Sequence, residues 1–262
     1  ATVNIHCLNK HIDELLPVIR ELLTDSIFPE EELNTFKQNQ LQRLAVSLKK
    51  SDFVAGRLID TYLFGEEHPY GRFTKEEHYQ SLTTDDLKKF YNDYYRRGKC
   101  IIFVAGKIPA NMESLLNQYF GDLPIGQNDF TIPHIEPKPA AGKGEKRRVQ
   151  NDPNGVQGSI RIAREFPNRH HPDFMKVQVL NNLFGGFFGS RLMSNIREDK
   201  GYTYGIYSYL QNHMQTSAWA ISTEAGKDVC EATIAEIYKE MKLLQEELVD
   251  DEEMQLVRNY MM

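Results

Sequence analysis

The sequence predicts an α+β fold made of two related modules, both incomplete within its 262 residues. Three observations carry this prediction. First, short segments with two-residue apolar alternation come in small groups, separated by longer segments with helical spacing. Second, one order occurs twice. Residues 1–37 read strand, helix, then Glu31-Glu32-Leu33 with Lys37 four positions on. Residues 217–258 read strand, helix, then Glu252-Glu253-Met254 with Arg258 four positions on. A repeated order of elements points to two copies of one module. On that spacing the chain starts partway through one copy and stops partway through the next, as a fragment of a longer protein would. Third, 40% apolar and 26% charged residues are the proportions of a folded globular protein. Disordered, collagen-like and coiled-coil chains have other compositions.

The elements follow in order. Val3, Ile5 and Cys7 alternate with polar neighbours, so 1–8 reads as a strand. Ile12, Leu15, Leu16, Ile19, Leu22 and Leu23 recur at helical spacing. Pro29 opens a second helix whose first turn holds Glu30, Glu31 and Glu32, where acids complement the helix dipole; it runs to about 47. A third helix covers 52–64 and stops at Gly65 and the His68-Pro69-Tyr70-Gly71 stretch. Thr83 or Thr84 caps another, to about 95. Residues 100–105 read as a buried strand and 111–120 as an amphipathic helix. Pro133, Pro137 and Pro139, two glycines and the basic run at 143–148 make 129–150 a linker. Beyond it come a strand at 156–163, a helix at 172–183 and a glycine-rich bend at 185–189. A helix at 191–200, strands near 203–209 and 217–223, a long helix at 228–247 and a last helix from 251 complete the chain.

Several functions are excluded by what these residues cannot do. Net charge is −6, from 31 basic and 37 acidic residues, whereas nucleic-acid binders carry a basic face. The apolar run at 101–105 is far shorter than the roughly 20 residues of a membrane-spanning helix. Cys7, Cys100 and Cys230 form no CxxC pair, and two of them sit in apolar stretches as packed small hydrophobes. None of the eight histidines stands four residues from another, so no HxxEH helix face is present. Glu66-Glu67-His68 and Glu76-Glu77-His78 read as surface residues beside loops. The bend Gly185-Gly186-Phe187-Phe188-Gly189 lacks the Lys-Ser/Thr of a phosphate loop.

The informative stretch is 181–205. It runs helix, GG bend, Ser190-Arg191-Leu192, Ile196-Arg197-Glu198, Gly201 and Tyr204-Gly205. This long, ungapped pattern resembles the carboxy-terminal module of the M16 (insulinase, pitrilysin, mitochondrial processing peptidase) metallopeptidase family. Phe64 with His68-Pro69-Tyr70-Gly71, Leu82-Thr83 and Val104-Ala105-Gly106 follow in the family's order. The resemblance implies that 1–128 is the later part of a first module and 151–262 most of a second. It implies a clamshell over an extended peptide or unfolded polypeptide. It also places Arg197 and Tyr204 in the cleft as donors to a developing oxyanion, with Gly185, Gly186, Phe187, Phe188 and Gly189 lining it.

The same resemblance raises an expectation about zinc. Family members hold the ion with two histidines of HxxEH and a glutamate on a later helix. That helix corresponds to the region of Gln42, Arg43 and Leu44, yet no Asp or Glu occurs between Leu33 and Ser51. The expectation is therefore a chain that binds no zinc itself, with zinc on a partner subunit or domain, no nucleic-acid partner and no membrane span. The alternatives are a purely structural M16-like subunit, and an active zinc endopeptidase whose ligands lie outside this chain.

Overall fold

Apolar spacing sets the helices here. The computed structural model describes residues 2–126, 133–140, 144–214 and 216–262. The chain forms two compact units. One comprises residues 1–42 and 74–133, the other 43–73 and 134–262.

The first unit is helical. Helix α1 (Ile12–Thr24) buries Leu16 and Ile19, four and seven residues into one face. Helix α2 (Glu30–Ser47) opens on three glutamates and buries Leu33. Short helix α4 (Glu76–Ser81) is added to the elements the sequence predicts. Its residues Glu76, Glu77 and His78 are exposed. Helix α5 (Thr84–Phe90) begins with a reciprocal capping box, in which Thr83 Oγ1 accepts from Asp86 N–H and Asp86 accepts from Thr83 N–H. It widens into a π-helical turn over Tyr91–Tyr95. Helix α6 (Met112–Phe120) packs beside α1. There the Arg20 guanidinium grips both oxygens of Asp122, at 2.6 and 3.0 Å.

Two strand predictions fail in this unit. Residues 2–8 and 100–105 join no ladder among the described residues, and their side chains are exposed. Alternation marks a segment fit for pairing, but a strand exists only where a neighbour supplies the other half of the ladder. For the same reason Cys7 and Cys100 are exposed rather than packed.

The second unit holds the sheet. Helix α3 (Ser51–Phe64) leads into it and lies against strand β1 (Gln157–Glu165). Strands β2 (Thr203–Asn212) and β3 (Ser217–Gly226) complete a three-stranded antiparallel sheet of order β1-β3-β2. Central β3 is buried on both faces, at Ser217, Ala218, Ala220, Ile221, Thr223 and Ala225. Helix α7 (Phe174–Asn181) continues as a π-helical turn, Asn182–Gly186. A second π-helical turn covers Met193–Asp199. Helices α8 (Cys230–Glu246) and α9 (Asp251–Met261) close the chain. Phe184, Leu192, Met193, Ile196, Ile206, Ile221 and Ile237 form one buried cluster, flanked by Ile162 and Trp219.

Part of the predicted linker is anchored in this unit, and its residues 129–132 and 141–143 lie outside the described residues. Lys138 N–H donates to Phe64 O at 2.9 Å and Ala140 N–H to Tyr62 O at 3.1 Å. The basic run is neutralised locally, with Lys146 and Arg148 both on Glu231. His68, expected at the surface, is buried. Its Nε2 lies 3.0 Å from Ile135 O, and its ring stacks on Phe64. Among the described residues no helix is long and apolar enough to cross a membrane.

Candidate functional site

The motif region of the second unit is built from a bend, a helical turn and a bulged strand. Gly185 lets the bend press against β2. A Cβ there would lie 2.8 Å from both Ser208 N and Oγ and 2.9 Å from Leu192 Cδ1, distances at which only a hydrogen fits. Buried Asn181 locks the approach. Its amide donates to Ser208 O at 3.2 Å, its Oδ1 accepts from Trp219 Nε1 at 3.0 Å, and its carbonyl accepts from Ser208 Oγ at 3.2 Å. Phe187 then stacks on Tyr260 of α9, with ring centroids 4.8 Å apart. Phe188 is left facing outward. Arg191 ties the start of the following turn to α9 through a two-bond pair with Glu253, at 2.7 and 2.8 Å.

Arg197 ends that turn. Gly201 takes φ +65°, a conformation that favours glycine and stops helices. Tyr202 N–H bonds back to Ile196 O at 3.0 Å. The chain then enters β2 through a bulge. Thr203 pairs with Ala225 and Ile206 with Thr223, so Tyr204 and Gly205 stand opposite Glu224 alone. Two residues against one rotate the strand locally and re-aim a side chain. Threonine hydroxyls stitch the bulge, with Thr203 Oγ1 2.6 Å from Glu224 O and Thr223 Oγ1 2.9 Å from Gly205 O. The consequence is Tyr204, 92% exposed.

The structure brings Arg197, Phe188 and the backbone of Tyr204 together. Arg197 Nε donates to Tyr204 O at 3.0 Å, and its guanidinium carbon sits 4.5 Å from the Phe188 ring centroid. Nη1 is 3.5 Å from Glu198 Oε1, while Nη2 and the Tyr204 phenol have no partner among the described residues. The aromatic face and the carbonyl fix the guanidinium plane and leave its outer edge open. Such an edge can donate to a carbonyl, carboxylate or developing oxyanion. Gly185 and Gly186 act from beneath as spacing for the bend, and Phe187 turns to α9 instead of Arg197.

Sequence reasoning did not find a second constellation in the same unit. Tyr70 and His213 stack at 3.9 Å, with Phe64 edge-on to both. Gln211 Nε2 donates to Asp60 at 3.3 Å. Burial pushes the Asp60 carboxyl up and the His213 imidazole down, and each partly offsets the other. Beside them lies an open cavity of about 270 Å³, lined by Asp52, Phe53, Arg57, Asp60, Tyr70 and Phe73 among others. The residues come from three separate segments, and no spacing rule links them.

A zinc ion needs three or four His, Cys, Asp or Glu donors gathered at one point. Where the family resemblance puts a ligand carboxylate, α2 carries Gln42, Arg43 and Leu44. Lys37, on the same helix, donates to Leu82 O at 2.9 Å. Among the described residues no three His, Cys, Asp or Glu side chains are gathered closely enough to hold a metal.

Comparison with known proteins agrees with the motif. The family model described as "Peptidase M16 inactive domain" matches residues 81–261. An uncharacterized zinc protease, YmxG, of Bacillus subtilis (strain 168) is 23% identical over 254 residues, 95% of this chain and 59% of its own length. A probable mitochondrial-processing peptidase subunit beta of Schizosaccharomyces pombe is 24% identical over 228 residues, covering 82% of this chain and 49% of its own. The crystal structure of a peptidase M16 inactive domain from Pseudomonas fluorescens superposes with a TM-score of 0.75 at 21% identity. It covers 97% of this chain and 61% of that one. The chain thus spans about three-fifths of the length of the first of these relatives. With the fold, the bend and the Arg197 turn in place, and with the family's inactive-domain model matched over more than half the sequence, the chain belongs to the M16 peptidase family.

Proposed function

We propose that this chain is the substrate-holding, zinc-free side of an M16-type cleft. It engages an extended or unfolded polypeptide at Arg197 and Tyr204 and works with a zinc-bearing M16 subunit or domain. One observation carries the reading: Arg197 is held by Phe188 and Tyr204 O with its outer edge open, in a chain with no Asp or Glu from Leu33 to Ser51. A fixed guanidinium and a nearby phenol are preorganised donors for a peptide carbonyl that gains charge as water attacks it. The bend at 185–189 forms the wall beside them. The match to an inactive-domain model supports the non-catalytic role, and a relative described as a peptidase subunit supports work in an assembly. The recurrence of a helix followed by Glu31-Glu32-Leu33 with Lys37, and by Glu252-Glu253-Met254 with Arg258, supports two related modules, 1–128 and 151–262.

The test uses the full natural chain that contains these residues. Labelled reduced casein is titrated against it, and a quenched peptide is then added with a zinc-bearing M16 subunit. Arg197→Ala is expected to weaken casein binding and to abolish most of the cleavage gained on mixing. Equal binding and cleavage in the variant would overturn the cleft role. The printed description of the B. subtilis relative as a zinc protease favours one other reading, an active enzyme with ligands outside these residues. One tightly held zinc per full chain, with cleavage in the absence of any partner, would establish it.

A further inference from the structure

The open cavity of about 270 Å³ lies wholly within the second unit, between one face of α3 and residues 70–73. Its walls are fastened. Thr61 Oγ1 donates to Gly71 O at 2.7 Å, and Tyr70 stacks on His213. Gly56 of α3 opens the space. Nothing lies within 4 Å of a Cβ placed there, so no neighbour demands glycine, and helix propensity favours almost any other residue. What a larger side chain would remove is the empty volume itself. The lining pairs charge with rings. The Arg57 guanidinium carbon sits over Phe53 and Phe73, 5.0 and 4.2 Å from their ring centroids. Asp60 stands three residues on, one turn along the same helix face. Asp60 is half-buried, and its one hydrogen bond among the described residues comes from Gln211 Nε2 at 3.3 Å. A carboxylate has room for more donors than that. Asp52 and Arg72 add a second acid and a second base.

We propose that this cavity binds an aromatic amino acid as its zwitterion. Arg57 takes the α-carboxylate, Asp60 the α-ammonium, and Phe53, Tyr70 and Phe73 the side chain. Three features point to that chemistry. The lining holds both signs of charge in equal number, so a plain anion or a plain cation leaves one desolvated group without a partner. The opposite charges of Arg57 and Asp60 are neighbours on one helix face, as the opposite charges of an amino acid are neighbours on one carbon. The rings supply apolar surface beside them. Size agrees, since pockets for drug-sized ligands run from about 300 to 1,000 Å³ and this one takes a smaller molecule. The proposal shares no residue with the Arg197 site and stands apart from the cleft reading.

Calorimetric titration of the full natural chain tests it, with L-phenylalanine, phenylacetate and phenethylamine as probes. L-Phenylalanine is expected to saturate one site with a Kd of about 0.1–1 mM, the range open to a ligand of so few atoms. Phenylacetate, which lacks the amine, and phenethylamine, which lacks the carboxylate, should each bind about tenfold more weakly or worse. Gly56→Leu fills the cavity and should abolish binding while melting no lower than the parent, because leucine outranks glycine in helices and its Cβ has room. Asp60→Asn should weaken L-phenylalanine about fivefold or more and leave phenylacetate unchanged. No saturable heat with L-phenylalanine would overturn the proposal. So would undiminished binding in a folded Gly56→Leu or in Asp60→Asn, which would place the ligand elsewhere. Phenylacetate or phenethylamine binding as tightly as the amino acid would overturn it too, because the cavity would then read one charge and not the pair.

Discussion

Gly185→Ala tests whether the bend is set by contact with β2. In the structure the new methyl would lie 2.8 Å from Ser208 N and Oγ and 2.9 Å from Leu192 Cδ1. Ordinary contact begins near 3.4 Å, so the groups must part by about 0.5 Å or more. Ser208 N is fixed in the strand, and Ser208 Oγ is bonded to Asn181 O. Overpacking of this kind costs about 1–3 kcal/mol. Replacing a helical glycine by alanine returns at most about 1 kcal/mol. The net is destabilising by up to about 3 kcal/mol, a fall of several degrees in Tm for a domain of this size. Trp219 is the sole tryptophan and bonds to Asn181, so its fluorescence reports melting at this spot. Gly56→Ala in α3 is the matched control. Nothing lies within 4 Å of its added Cβ, and it should stabilise by about 0.5–1 kcal/mol. A Gly185→Ala protein as stable as the parent, beside a stabilised Gly56→Ala, would refute the close-contact argument.

Three further outcomes are expected. Arg191 and Glu253 are largely shielded, with 17 and 24% side-chain exposure, so a double-mutant cycle in denaturant should give a coupling of about 1–3 kcal/mol; additive effects would show the pair to be incidental. Phe188→Ala should weaken casein binding about 2–5-fold, the loss of one cation–π contact worth about 0.5–1 kcal/mol, and Phe188→Tyr should restore it. The third is pH dependence at His213. Burial lowers its pKa in the fold, so the unfolded chain binds the proton first, and stability falls as pH drops below about 6.5. Asp60, raised by burial, acts in the opposite sense at more acidic pH, where folding favours its protonated form. Denaturant midpoints at pH 7.5 and 5.5 should therefore differ less in His213→Gln than in the parent; an identical pH slope would show that the imidazole is not responsible.

Most helices were legible because each carries its own instructions. The Thr83 and Asp86 box, the glutamates opening α2 and the Leu16/Ile19 face of α1 act within a few residues of where they lie. Strands β2 and β3 were legible for a different reason: each is the other's ladder partner and they are close in sequence, while β1, paired with distant β3, was legible from its own alternation. The strands expected at 1–8, from alternation, and at 100–105, from a continuous apolar run, have no ladder partner among the described residues. His68 was misread because its burial depends on Ile135 and Phe64, and Cys7 and Cys100 because an apolar neighbourhood in sequence need not be one in space.

The sequence by itself determined the family, through one ungapped stretch at 181–205, and the absence of a carboxylate from the expected ligand helix. The family resemblance of that stretch also singled out Arg197 and Tyr204. Only the tertiary structure decided how they meet. A bulge opposite Glu224 throws the Tyr204 ring outward and offers its carbonyl to Arg197. A bend admitted by Gly185 carries Phe188 under the guanidinium. The Asp60, Gln211 and His213 group likewise exists only in the fold. Spacing along a chain fixes what a residue can reach within its own element. Which groups from distant elements share one patch is set by register and packing, which no local pattern encodes.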